Sequence, residues 1–286
     1  MAPPDIDERH NEFREHRRVI GPSVHRTIGV LLEDLADPFS GALHRAVEEE
    51  ARTRGARLLA GGPAGELTHV LQYCRADGLI VVPSGSDQSY LARFAGTPIV
   101  CVDRPPTGFE TDAVVSTNVA GAAAAVRHLT ARGHRRIAYL GGHQSSPTAR
   151  DRFRGYRQAL GDRPGPVVHD LDGESAAERA TLALLRRPDA PTALFAGHDP
   201  ITRGAVRALR RADRHRSVAL VGFDDFPLAD LLEPAVTVVA QDAARMGRVA
   251  AGALFERIDG HEGPPREIRV PTTLVPRGSG EIPTGS

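Results

Sequence analysis

Short, continuous apolar runs that alternate with amphipathic stretches constrain this chain more than any other feature. Residues 27–32 (TIGVLL) carry no polar alternation, as a strand covered on both faces requires. Asp37-Pro38 then supplies an N-cap and a first-turn proline. Phe39, Leu43, Ala46, Val47 and Ala51 follow at helical spacing, and Gly55 closes the helix. The same alternation runs on. Strands are expected at 56–60, 79–82, 98–102, 114–116, 136–140, 192–196, 217–221 and 236–240, with helices at 120–132, 148–160, 176–187 and 200–211. Strands and helices in alternation predict βαβ units, hence parallel sheets with helices on both faces. There are more units than one sheet comfortably holds, so the expected fold is α/β with two doubly wound, Rossmann-like subdomains. Ligands in such folds sit beyond the carboxyl ends of the strands.

Composition narrows the function. The 286 residues are 41% hydrophobic and 25% charged, a globular balance and long enough for a real core. All 36 basic side chains are Arg, none Lys, and 36 acids cancel them, so no overall positive field draws the chain to phosphates. Residues 1–25 read as a polar leader. With Arg26, its Asp5, Asp7, Glu8, Glu12 and Glu15 balance five arginines, so it is not a basic DNA-gripping arm. The leader lacks the apolar stretch of a secretory signal, and runs such as 78–82 fall far short of the ~20 residues that span a bilayer. Cys74 and Cys101 lie far apart without a partner motif and are expected to be buried thiols. A soluble, cytoplasmic protein with no membrane partner and no cofactor is expected.

Catalytic motifs are missing: no G-x-G-x-x-G, Walker A sequence, G-x-S-x-G elbow or H-E-x-x-H occurs. Asp224-Asp225 is a carboxylate pair at a strand end, but adjacent residues on extended backbone point to opposite sides, which favours a ligand contact or loop bond over catalysis or metal. The 12 His are scattered without metal-ligand spacing; His128 and His134 flank a helix end, and most are expected to be solvated or capping. No catalytic and no metal residue is assigned. What remains is a set of polar groups at strand ends: Asp103-Arg104, Asp199 and Asp224. Carboxylates and a guanidinium converging on one cleft suit sugar hydroxyls or a carboxylate. Phe39, at a helix start, offers a face for stacking.

Several of these segments, taken together, resemble the regulatory core of LacI/GalR-type transcription regulators. Thr27-Ile28-Gly29-Val30-Leu31 leading into Asp37-Pro38-Phe39 is similar to its start, and His128-Leu129 followed by residues 133–142 (GHRRIAYLGG) to its central signature. Arg152-Phe153-Arg154-Gly155-Tyr156 fits its R-x-x-G-aromatic helix, and Val221-Gly222-Phe223-Asp224-Asp225 with Gln241 its last strands. The resemblance covers about residues 26–280. It implies a periplasmic-binding-protein type I architecture: two subdomains joined by three crossings, near Thr117-Asn118, Ala240-Gln241 and Gly263, with a small sugar-like effector in the cleft. Residues 26–118 plus 242–262 would form the N-terminal subdomain, 119–241 plus 263–280 the C-terminal one, and 281–286 a tail. Carried over, Phe39 would stack on the effector and Asp103 and Arg104 would line the near wall. Arg152 would reach in from the other subdomain, and His198, Asp199, Asp224 and Gln241 would complete the far side. Arg203, Val206, Phe226 and Leu228 would lie at a homodimer interface. Effector binding would shift subdomain closure and so the DNA-binding heads.

The match also departs. The family begins with a helix-turn-helix and a hinge helix; the leader shows neither, and Gly21-Pro22 would break a hinge helix. Operator DNA would then be reached through a head absent from this sequence, lost by truncation or misannotation, or else the chain senses without reading DNA. The segment between Leu59 and Asp77, with Gly61-Gly62-Pro63, is short for the family, which implies a reshaped cleft rim. His198 stands where an Asn is usual, and Arg203 where an apolar residue is. Residues 274–279 (LVPRGS) read either as the end of the last strand or as a protease-cleavage linker. The alternative function is a stand-alone sugar-binding protein without DNA-binding activity; an enzyme would need a nucleophile–base pair in the cleft.

Overall fold

The computed structural model describes residues 26–32, 37–62, 75–83, 88, 91, 94–161 and 165–285. The leader, the rim at 63–74 and Cys74 lie outside the described residues. Within them are two six-stranded sheets, each flanked by helices. The first has the order β11-β5-β4-β3-β1-β2, built from β1 (Thr27–Leu31), β2 (Arg57–Gly61), β3 (Gly78–Val81), β4 (Ile99–Val102), β5 (Asp112–Ser116) and β11 (Glu267–Val270). The second has the order β12-β10-β9-β8-β6-β7, from β6 (Ile137–Leu140), β7 (Val167–Val168), β8 (Ala193–Ala196), β9 (Ala219–Phe223), β10 (Thr237–Ala240) and β12 (Thr273–Val275). All pairings are parallel except β12 with β10. The helices are α1 (Pro38–Thr53), α2 (Asn118–Thr130), α3 (Pro147–Leu160), α4 (Gly173–Leu185), α5 (Asp199–Arg211) and α6 (Ala243–Ile258).

The apolar runs form strands because both faces of each sheet are covered. In the first sheet Ile28 and Val30 pack with Leu43 and Val47 of α1 and Leu254 of α6, while Leu31, Leu79 and Val81 meet Phe94 on the other face. In the second, Leu140 and Leu194 pack under α4 and α5, and Tyr139 and Phe195 under α2 and α3. Each fully buried side chain of this size contributes about 1.5–3 kcal/mol.

The chain crosses between sheets three times: between Ser116 and Asn118, between Ala240 and Ala243, and between Val270 and Thr273. The third corrects the expectation of a crossing at Gly263. Residues 267–270 pair with β5 and belong to the first sheet, not to the C-terminal unit. The reason is periodicity: Glu267-Ile268-Arg269-Val270 alternates, as a half-exposed edge strand does, and a search for continuous apolar runs passes over it. The three crossings adjoin one another, the second meeting the third where Ala240 pairs with Thr273. Thr117 N–H donates to Val270 O at 3.0 Å, and Thr272 N–H to Thr117 Oγ1 at 3.0 Å.

The expectation of a C-terminal tail at 281–286 changes as well, and with it that of solvated or capping histidines. His128 and His134 are not solvated. His134 Nε2 lies 2.8 Å from Ile282 O and Nδ1 3.0 Å from Thr192 Oγ1, while His128 pairs with Glu281. They pin the C-terminal residues to the second subdomain. Residues 274–279 are part of the fold, since Ser279 is buried and its Oγ donates to Leu220 O at 2.6 Å. Cys101 is buried and unbridged, its thiol pushed up to about 12 by burial.

Candidate functional site

Strand ends from both sheets and the starts of α1 and α5 face one another across a cavity of about 490 Å³. Asp37 begins α1, its carboxylate accepting from Ser40 N–H at 2.9 Å, and so sets Phe39 at the cavity edge. Asp103 follows β4 and Asp224 follows β9, both with φ of 70°. This left-handed conformation, which Asp tolerates better than most residues, turns the chain at the strand end and leaves the carboxylate in the cleft.

Arg152 organises the centre. It lies on α3, is 4% exposed, and uses its whole guanidinium: Nε donates to Asn118 Oδ1 at 2.9 Å, Nη1 to Gly197 O at 2.8 Å and to Asp224 Oδ2 at 2.9 Å. Its guanidinium carbon sits 3.9 Å from the centre of the Phe223 ring, a cation–π contact. Gln241 Nε2 donates to the other Asp224 oxygen at 2.7 Å, while its Oε1 is buried with no hydrogen bond. Asp224 is thus held from two sides. Asp225, also on the cavity wall, takes both arms of Arg277, at 2.7 and 2.6 Å. The two adjacent carboxylates serve different arginines.

The remaining acids are less comfortable. Burial raises the Asp103 pKa above the carboxylate range, against the opposing pull of Arg104 and Arg152. Burial also raises that of Asp199, against His198 and Arg203, whose Nη1 lies 2.5 Å from the carboxylate. Desolvated carboxylates in an open cleft are poised to gain from a ligand's donors. Arg104 donates through Nη1 to Pro83 O at 3.1 Å, and its Nε is buried without a hydrogen bond.

All eight residues read as effector contacts line this cavity: Phe39, Asp103, Arg104, Arg152, His198, Asp199, Asp224 and Gln241. Asn118 and Phe223, which hold Arg152, and Asp37 were not among them. Phe223 directly precedes Asp224 in the same motif, so its position was visible although its partner was not. Of the residues expected at an interface, Arg203 is engaged with Asp199 and Glu174 within the chain, Val206 is half-buried, Phe226 lies in the core and Leu228 is 64% exposed. No group of three or more His, Cys, Asp or Glu among the described residues is arranged to hold a metal.

A family model described as a periplasmic binding protein-like domain matches residues 126–280. The HTH-type transcriptional repressor PurR of Photobacterium profundum is 28% identical over 271 residues, which cover 89% of this chain and 81% of that protein. A Burkholderia thailandensis protein assigned as a ribose operon repressor has a solved structure that is 31% identical, superposes with a TM-score of 0.78, and is matched over 87% of this chain and 98% of its own. An Enterococcus faecium LacI family transcriptional regulator, solved with bound ribose, is 25% identical with a TM-score of 0.78, over 89% of this chain and 98% of that one.

Proposed function

The chain belongs to the LacI family of transcriptional regulators, and from that premise we propose that it is the effector-sensing and dimerisation core of such a regulator, holding a sugar or similarly polar small molecule in the cleft between its two sheets. The observation that carries this is the convergence of polar side chains from both halves on one cavity. Carboxylates and guanidinium groups in that cavity match paired hydroxyls, and Phe39 offers an apolar face to the ring of a sugar. A ligand bridging the halves stabilises the closed arrangement over the open one, a population shift about the three adjoining crossings. The ribose bound to the Enterococcus relative supports a sugar.

Catalysis is not part of this reading. Each of the cleft carboxylates Asp199, Asp224 and Asp225 has an arginine partner, and the relatives are repressors. DNA binding would come through a helix-turn-helix head, which the described residues do not include, acting in the cytoplasm on operator DNA. A homodimer would couple two such heads. No described helix is long and apolar enough to cross a membrane.

Thermal-shift measurements against sugars, sugar phosphates and nucleobases test the proposal. At least one should raise the melting temperature, and Arg152→Ala should abolish that rise; an unchanged rise overturns the assignment of Arg152. Arg152→Lys, which keeps a buried positive charge, provides a folded variant if the alanine form is too unstable to read.

A further inference from the structure

A cavity of about 900 Å³, larger than the 490 Å³ of the cleft, opens at the amino-terminal ends of β4 and β5. This is the end of the first sheet away from the effector site, and no residue lining one cavity lines the other. Leu91, Phe94, Ile99 and Phe109 give the larger cavity its apolar wall. Leu91 and Phe94 are 5% and 4% exposed and anchored in a cluster with Leu31, Leu79 and Val81. Ile99 opens an interior strand, between β3 and β5, and yet is only half-buried, as is Phe109. Both turn apolar surface toward the cavity.

The polar groups on its wall narrow the chemistry of an occupant. Arg257 and Asp112 are committed to each other, through Nε at 3.0 Å and Nη2 at 2.7 Å. The other guanidinium N–H groups of Arg257 donate to His261 O, Gly263 O and Pro264 O, at 3.2, 2.8 and 2.9 Å. Arg257 is the one cation among the described lining residues, so an anion would enter without a partner. It would also meet Glu110, an exposed carboxylate with no ion-pair partner among the described residues.

Gln88 supplies the second, independent observation. It is 7% exposed, and its Oε1 accepts from Thr107 N–H at 2.9 Å, which fixes the orientation of the amide. Its Nε2 makes no hydrogen bond with the described residues, although Gln88 lines the cavity. A buried donor left in this way gains from any acceptor brought to it.

We infer that this cavity is a second ligand site, separate from the effector cleft, for an uncharged molecule with an aromatic or alicyclic body and one hydrogen-bond acceptor. The body packs on Phe94, Ile99 and Phe109, and the acceptor meets Gln88 Nε2. Volume and lining are those of small-molecule sites, apolar with few polar groups. The inference does not depend on what the cleft binds.

Fluorescence titration of the full chain tests it with three naphthalenes. Prodan is neutral and carries one carbonyl; its dimethylaminonaphthalene parent lacks the carbonyl; anilinonaphthalene sulfonate is anionic. Prodan emission should shift to the blue and saturate at a single site per chain, and the sulfonate should bind more weakly. Gln88→Glu keeps the acceptor for Thr107 N–H and removes the amide donor. It should lower the preference for prodan over the parent about three- to tenfold, the worth of one hydrogen bond. Thr97→Trp, which places an indole in the cavity from its half-buried edge, should weaken prodan at least about tenfold. Leu231→Asp should leave prodan affinity unchanged, which separates the cavity from the exposed leucines. Unliganded melting temperatures serve as folding controls, and if Thr97→Trp does not fold, the Gln88→Glu comparison decides. Prodan that fails to saturate overturns the inference, as does a folded Thr97→Trp chain with full affinity. So does an unchanged preference in Gln88→Glu, tighter binding of the sulfonate, or loss of prodan in Leu231→Asp. None of these outcomes bears on the effector cleft.

Discussion

Asp103 and Asp224 occupy equivalent places in the two sheets. Each follows the third strand from its edge, each has φ of 70°, and each N–H donates to the neighbouring strand, to Val114 O at 3.0 Å and to Val239 O at 2.9 Å. Their environments differ. Asp224 is bonded by Arg152 and Gln241, whereas the main influence on Asp103 is burial, which raises its pKa. A carboxylate whose folded pKa is raised contributes stability that is present below its unfolded pKa, near 4, and is lost as pH rises through the folded value. Asp103→Asn removes that loss and tolerates the same backbone. The unliganded variant is expected to melt about 2–4 °C higher at neutral pH, with a flatter dependence on pH above about 4, and to lose effector-induced stabilisation. A melting curve series from acid to neutral pH checks the sign; a variant that melts lower at neutral pH contradicts it.

At the scale of elements, one charged cluster ties β5 to α6 and β11, and one helix crossing packs α2 on α3. Asp112, fully buried at the start of β5, is bonded by Arg257 of α6 at 3.0 and 2.7 Å, and by Arg266, which leads into β11, through its backbone N–H at 2.9 Å and its side chain at 3.2 and 2.7 Å. Burial alone would raise its pKa, but the bonds from Arg257 and Arg266 outweigh burial and hold it well below the usual carboxylate range. A depressed carboxylate contributes stability above its unfolded pKa and loses it as pH falls through the folded one. Asp112→Ala should therefore cost about 3–5 kcal/mol in denaturant titrations near neutral pH, and less as the pH drops below about 4. The crossing of α2 and α3 is equally specific. A Cβ at Gly155 would stand 2.2 Å from Val119 O and 2.8 Å from Ala122 Cβ. A backbone carbonyl does not swing aside, so Gly155→Ala should destabilise by about 1–3 kcal/mol, despite the better helix propensity of Ala. A denaturation midpoint at or above wild type would show that the helices can separate at no cost.

For the whole molecule, the three adjoining crossings form the pivot about which the cleft would close, and a dimer would carry that motion outward. Leu228 and Leu231, 64% and 74% exposed, are the most exposed large apolar side chains among the described residues. Arg203, which the family resemblance sets at the interface, is already paired with Asp199 and Glu174 inside the chain, so its charge need not oppose association. Sedimentation at micromolar concentration should show a dimer, and Leu231→Asp should shift it toward monomer. A wild-type chain that stays monomeric would contradict the dimer, and an unshifted variant would move the contact elsewhere.

The sequence by itself determined the βαβ alternation, the two-sheet architecture and the strand ends where polar groups collect, because these follow from local periodicity and from residue types that act within one turn or one strand. The R-x-x-G-aromatic segment was legible in the same way. One helical face presents Arg152 to the cleft, Gly155 to α2, and Tyr156 to the core, where its hydroxyl donates to Ile137 O at 2.8 Å. What only the tertiary structure decided were matters of long-range pairing. Periodicity could not place β11 in the first sheet, since an alternating strand does not say which edge it joins. Nor could it reveal that Asn118 and Phe223 hold Arg152, that Arg277 takes Asp225, or that His128 and His134 secure the C-terminal residues. Even the balance of 36 arginines against 36 acids changed meaning. A net charge of zero averages over a cleft that gathers Asp37 and Asp103 from one half and Asp199 and Asp224 from the other, and that gathering exists only once the two halves face each other.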